Sequence, residues 1–378
     1  MRSAIALGVA LVAGTVIQAQ TNSTLTAVPG IKVGHFTLTE RPTGCTVILA
    51  ESGVTAGVDV RGAAPATAET ELLRPVNLVQ QVHAIVLSGG SAFGLDSRSG
   101  VMRYLDEKNI GFKVFGPGPG ARGSPSDSPR DRVPQGENIP IVPAASLFDL
   151  NVGASSDLNG SGRSGGLAGS SSKIRPTADC GYRAAQAATT APVTEGNVGA
   201  GAGATIGKTA GPNRAMKGGL GSAAIAMPDG LIVAAIVAVN AAGDVIEPAT
   251  GKVVAGVRTA DGKALADARV LLTTGSMQPA RIGENTTLGV IATNATLTKV
   301  QATRIAEMAH DGYARAIFPS HTMGDGDTIF ALATGSASGN ADVSRIGALA
   351  AKVMADAIVR AAMQATGIPG YPAARDLR

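Results

Sequence analysis

The chain has 378 residues, a formal net charge of +4, 50 glycines, no tryptophan and only 3% aromatic residues. A mild charge with no basic run, and so few rings for base stacking, argue against a nucleic-acid partner. The core must come from Ala, Val, Ile and Leu packed closely, in one large domain or two medium ones.

In chain order, MRSAIALGVALVAGTVIQAQ comes first. Arg2, the apolar stretch from Ala4 to Ile17, and Ala19 among small or polar neighbours match a secretory signal peptide. The run is short for a membrane span. The expectation is removal near Ala19 (signal peptide 1–19) and a periplasmic or secreted protein without stable membrane association. Export permits a disulfide, and the sequence leaves open whether Cys45 and Cys180 meet.

Next come IKVGHF, CTVILAE, GVTAGVDV and AIVLSGG, apolar runs set between Gly-rich turns and read as strands. A helical segment follows Ser91 and runs into Leu105. The stretches from Gly116 to Asn138 and from Asn159 to Ser172 have loop composition, and ADCGYRAAQAA reads as a helix. SAAIAMPDGLIVAAIVAVN places two apolar runs around Met227-Pro228-Asp229-Gly230, which predicts a hairpin of buried strands ending at Asn240. Ala241 to Glu284 is polar and Gly-rich, with little sustained periodicity except around Leu265 to Leu272, a flexible segment by composition. A strand then starts at NTTLGVIATNA. Ile305, Met308, Ala309 and Ala316, and later Ile346, Leu349, Ala350, Val353 and Ala357, mark two amphipathic helices with the strand DTIFALATG between them. Strands and helices do not alternate strictly. Sheets packed on each other and covered by helices therefore fit better than a doubly wound sheet.

Three stretches approach familiar chemistry and miss on spacing. GAGATIGKT lacks the glycine that a phosphate-cradling loop requires, because Ala202 holds that place. Its glycines fit close backbone approach better, and Lys208 is either a solvated strand end or a charge set into a cleft. LSGGSAFG resembles a nucleophile elbow but has Phe93 where glycine is needed. A base for that serine would have to be His35, His83, His310 or His321, and no His or Cys pair has the spacing of a metal site. In HTMGDGDTIF, Asp325 and Asp327 alternate about a glycine, so both carboxylates can face one site, or the pair is a turn. Asn285-Thr286-Thr287 is a turn, a chance glycosylation sequon, or the start of a chain whose threonine acts with its own α-amine and needs no histidine.

Several ordered blocks then carry a resemblance over nearly all of the mature chain: PGIKVGH, LSGGSAFGLD, IVPAASLFDL, GNVGAGAGATIGK, VAVNAAGDV, NTTLGVIATNA and DGDTIFALATG. The chain resembles the DmpA-type autoprocessing aminopeptidase family (L-aminopeptidase/D-esterase, β-aminopeptidase). Threonine with two aspartates, in place of the serine branch's set, is similar to the nylon-oligomer endo-amidase branch. The resemblance implies an α/β fold, a four-layer αββα sandwich like that of N-terminal nucleophile hydrolases with its own connectivity. It implies self-cleavage between Asn285 and Thr286, giving an α chain (20–285) and a β chain (286–378), and a homo-oligomer of αβ units. By motif, Thr286 is the nucleophile, Asn240 donates to the oxyanion, and Lys208, Asp325 and Asp327 complete the network, with no cofactor or metal. The expected function is aminopeptidase action on short peptides or amino-acid amides. An endo-acting hydrolase of ω-amino-acid oligomers is the alternative, and a non-catalytic periplasmic binding protein on the same fold is the alternative from another class.

Overall fold

The computed structural model describes residues 22–114, 137–153, 171–277 and 283–377. The expected signal peptide, and most of the two long loops expected from composition, lie outside the described residues. Nine strands form one hydrogen-bonded sheet path: β1 (Lys32–Thr37), β2 (Gly44–Val60), β3 (Thr67–Ala68), β4 (Gln81–Ser88), β5 (Ala144–Ser146), β6 (Gly219–Ala226), β7 (Ile232–Asn240), β8 (Thr286–Thr293) and β9 (Thr328–Ala333). Their order is β6-β7-β8-β9-β2-β4-β5-β3, with β1 also on β2. The helices are α1 (Ser97–Asp106), α2 (Ala178–Gln186), α3 (Ala268–Thr273), α4 (Lys299–Ala316) and α5 (Val343–Gln364).

β2 turns this path into two layers. Its residues 44–49 pair with β1 and β4, and residues 55–60 pair with β9, with a register shift between Leu49 and Val54. CTVILAE and GVTAGVDV, expected as separate strands, are thus one long strand; an irregularity in the ladder lets a strand bend without ending.

Alternation along the strands sorts the apolar side chains into three cores. On β7, Val233, Ala235, Val237 and Val239 face α4 and α5, where they meet Ile305, Tyr313, Ile346 and Val353. Ala234, Ile236 and Ala238 point the other way, toward Ile48, Ile85 and Leu87 of the second layer. The outer face of that layer, Cys45, Val47, Ala84 and Val86, packs under Val101 and Leu105 of α1 and Ala184 of α2. Helix, sheet, sheet, helix is the αββα sandwich. Small residues set the spacing: a Cβ on Gly57 would lie 2.2 Å from Thr303 N of α4, and one on Gly221 would lie 2.1 Å from Ala357 O of α5.

The helix ends match their sequence signals. Thr298 and Gln301 close a capping box on α4, and the Asp342 side chain accepts from Arg345 N at the start of α5. Cys45 and Cys180 are joined, tying β2 to α2. The segment after Asn240 is not the open stretch its composition suggests. Through residue 277 it carries strands Asp244–Ile246 and Val253–Ala255, which form a small sheet with Ile317–Phe318, and then α3. The buried Asp244 carboxylate accepts from Val257 N and Ala268 N, each at 2.7 Å, and so pins two distant points of a chain with no strong periodicity.

Candidate active site

β7 and β8 run antiparallel, and their register sets Asn240 opposite Thr286. β8 and β9 run parallel, which brings the entry to β9 alongside the entry to β8, with Asn285 bridged to Asp325. Lys208 follows the short strand Thr205–Ile206. It is held there because Gly207 N and Lys208 N donate to Gly243 O and Ala242 O, just past the end of β7. A Cβ on Gly207 would meet Gly256 C at 2.1 Å, so this glycine admits a neighbouring backbone, as the sequence suggested. All six residues singled out from the sequence therefore converge on one end of the β7–β8–β9 layer. Asn240, Thr286, Asp325 and Asp327 are 0%, 3%, 1% and 2% exposed.

The contacts there are specific. Lys208 Nζ donates to Asn240 Oδ1 at 3.0 Å, Asn240 O at 3.2 Å and Glu284 O at 3.1 Å. Asn240 Oδ1 also accepts from Thr205 N at 3.0 Å, while its Nδ2 donates to Phe148 O at 2.9 Å and lies 3.5 Å from Glu284 O. The carbonyl of Asn285 accepts from Gly326 N at 2.9 Å and from Thr286 Oγ1. In the intact chain, then, the backbone donor on the Asn285 carbonyl is Gly326 N–H. A Cβ at Gly326 would stand 2.7 Å from Thr286 Oγ1, so a side chain there would press on the hydroxyl.

The two aspartates are engaged differently. Asp327 Oδ1 accepts from Thr287 N at 2.8 Å, and Oδ2 accepts from His321 N at 3.1 Å and Nδ1 at 2.8 Å. Asp325 Oδ2 accepts from Thr322 N at 2.7 Å, but Oδ1 is buried with no hydrogen-bond partner among the described residues. Burial, then the charge of Asp327, pushes the Asp325 carboxyl up to about 6. Burial also lowers the Lys208 ammonium to about 7, opposed by Asp325, Glu284 and Asp327. As a residue Lys208 keeps some exposed surface, so the burial that matters is that of its head group among the carbonyls above. An acid raised and a base lowered toward neutrality in one enclosed site is an arrangement suited to proton transfer.

Sequence reasoning weighed His321 only as a base for the serine of LSGGSAFG. His321 lies on a turn at φ +56°, and only the fold shows that its ring reaches Asp327. The other histidines are placed elsewhere: His35 Nδ1 lies 3.0 Å from Thr46 Oγ1, His83 Nδ1 accepts from Ile141 N, and buried His310 contacts Asp59 O. LSGGSAFG does structural work. Ser88 Oγ donates to Gly94 O, and Gly90 N donates to Asp149 Oδ1. Asp149, bonded to buried Arg41, adjoins Phe148, whose carbonyl orients Asn240.

Comparison with known proteins gives the family and the fold. The model of peptidase family S58 matches residues 23–375. An uncharacterized aminopeptidase of Mycobacterium leprae is 36% identical over 94% of both chains. The 6-aminohexanoate-oligomer endohydrolase of Kocuria sp. (strain KY2) is 27% identical over 88% of this chain and 84% of its own. Among solved structures, the L-aminopeptidase D-Ala-esterase/amidase of Ochrobactrum anthropi, a variant of the Ntn hydrolase fold, superposes with a TM-score of 0.60. It is 19% identical, covering 93% of this chain and 88% of that one, and so speaks for the fold alone. An αββα sandwich, a near-neutral acid and base around one threonine at a strand mouth, and a family match across almost the whole described chain lead to one assignment: the chain belongs to peptidase family S58 and is a hydrolase of amide and peptide bonds.

Proposed function

We propose that the chain is an exported enzyme that cuts itself between Asn285 and Thr286 and then uses the freed Thr286 as its nucleophile. The observation that carries this reading is the setting of that one peptide bond. Thr286 Oγ1 lies against the Asn285 carbonyl, which already holds the Gly326 N–H, with Lys208 bonded to the neighbouring Glu284 carbonyl and Asn285 bridged to Asp325.

In the precursor, Asp325 takes the hydroxyl proton as Thr286 Oγ attacks the Asn285 carbonyl carbon. The C–N bond breaks, its nitrogen takes up a proton to become the Thr286 amine, and Asn285 is left as an ester on Oγ. Water hydrolyses the ester, returning the hydroxyl and leaving a carboxylate on Asn285. In the mature enzyme Oγ attacks a substrate amide. The Thr286 α-amine, with an ordinary pKa of about 8, takes the proton and gives it to the leaving amine. Water then hydrolyses the acyl ester left on Oγ, releasing the acid and restoring the hydroxyl. Asn240 donates to the substrate oxyanion, and Lys208, as a cation, stabilises the charge-separated states; losing such a donor costs on the order of 10²–10³ in rate.

The substrate class is short peptides or amino-acid amides, cut at the amino end. A second reading, internal cutting of ω-amino-acid oligomers, is favoured by the threonine with two aspartates and by the 27% identity to the endohydrolase. Stepwise release of residues supports the first; internal cutting of an aminohexanoate oligomer without stepwise release supports the second. The mature α chain would begin near residue 20, and the αβ units would associate as a homo-oligomer. Thr286→Ala tests the core of the reading: it is expected to stay uncut and inactive, and normal amidase activity in this variant would remove Thr286 from the mechanism.

A further inference from the structure

The reading above leaves unexplained what holds the nucleophile in one orientation. The residue that follows Thr286 is held at both of its backbone groups. The Thr287 N–H is bonded to Asp327, and the Tyr313 hydroxyl lies 3.2 Å from Thr287 O. Of the three donors on the Asp327 carboxylate, two belong to a single residue, His321.

His321 is built for that contact at a local cost. Its φ of +56° lies in the left-handed region, which side chains other than glycine and asparagine seldom adopt without compensation. Its ring stacks on Tyr313, with centroids 5.8 Å apart and planes at 28°, and meets His310 edge-on at 4.8 Å. To donate to a carboxylate Nδ1 must carry its hydrogen. Nε2 then faces the protein interior and, like His310 Nδ1, has no partner among the described residues. Burial holds His310 down at about 4, so it stands neutral beside His321 at ordinary pH.

We propose that His321 is a positioning residue of the reaction: through Asp327 it locks the Thr287 amide and thereby aims the Thr286 hydroxyl and amine. This rests on Thr286 being the nucleophile. Asp327, with its oxygens taken by Thr287 and His321, serves as the link in this chain, while the proton-handling carboxyl is Asp325.

The test uses the full chain and follows conversion of the intact protein to two fragments over time. His321→Leu keeps bulk but removes the Nδ1 donor. Loss of a hydrogen bond to a charged group predicts cleavage slowed about 10- to 100-fold. His321→Asn tolerates the left-handed backbone and places an amide N–H near the position of Nδ1, so it is expected to cut within about fivefold of wild type by the same bookkeeping. His321→Gln, whose longer amide reaches toward the Nε2 position, is expected to behave like the leucine variant. In the cut fraction, kcat for alanine p-nitroanilide should fall with KM little changed, because aim and not binding is lost. Wild-type cleavage in His321→Leu would overturn the proposal, and so would folded Asn and Gln variants cutting at equal rates. If the leucine variant fails to fold, the Asn–Gln comparison decides alone. If the wild-type chain is not cut before Thr286, the nucleophile reading itself fails, and this inference falls with it.

Discussion

Asp325 and Lys208 show how burial prepares two side chains for one step. Burial with Asp327 nearby raises Asp325 to about 6, and burial lowers Lys208 to about 7. Self-cleavage, as proposed, needs Asp325 ionised to take the hydroxyl proton and Lys208 charged to stabilise the tetrahedral state. Its rate should therefore rise as pH climbs through about 6 and fall as pH passes about 7. Asp325→Asn should remove the acid limb and slow cutting about 10²-fold or more, the usual worth of a general base. A pH series of cleavage rates measures both; an unchanged acid limb in that variant would take the base role from Asp325. Alternation alone left the two aspartates as a shared site or a turn, and only the family resemblance put both in the network. Neither gave a sign of their division of labour, which depends on Oδ1 of one being unpartnered and both oxygens of the other being taken.

At the scale of elements, the long apolar runs were legible. The hairpin ending at Asn240, the strand starting at Thr286, the strand after Asp327 and the two amphipathic helices all stand where periodicity put them. β2 was misread as two strands because Ser52-Gly53 looks like a turn, and only the partners on both sides show that pairing resumes. In 241–277 only the periodicity around Leu265 to Leu272 pointed to structure, where α3 lies; the rest was hidden for a related reason, because Asp244 anchors it through backbone amides far along the chain. The Gly-rich loop before Lys208 has a similar hidden anchor. Fully buried Lys217 donates to Gly201 O, Ala204 O and Gly218 O at 2.9, 2.9 and 2.7 Å. Lys217→Met would leave those carbonyls short of a donor. It is expected to lower unfolding free energy by about 1–3 kcal/mol and to slow turnover through Thr205 and Lys208. Denaturant unfolding checks the first effect; an unchanged midpoint would mean that the carbonyls find other donors.

Across the whole molecule, the two layers share one strand, and β2 also carries Cys45. The Cys45–Cys180 bridge closes a separation of 135 residues and ties the layer to α2. Its removal is expected to cost about 2–5 kcal/mol, read as a lower Tm for Cys45→Ser/Cys180→Ser or for reduced protein. An equal Tm with and without reductant would show that the packing of α2 suffices. The sandwich also explains why the site is where it is. Three strand ends meet at one edge of one layer, which brings Asn240 and Thr286 together with Lys208 and Asp325 from the adjoining turns. That convergence followed from order and register, which no single stretch of sequence contains.

The central claim is that the Asn285–Thr286 bond is the protein's own first substrate. Intact mass measurement of the purified wild-type chain tests it most directly. The account predicts two fragments, the smaller beginning at Thr286, and no cut at that bond in Thr286→Ala. One uncut wild-type chain with full amidase activity, or an internal cut at a bond other than Asn285–Thr286 once signal removal near Ala19 is set apart, would contradict it.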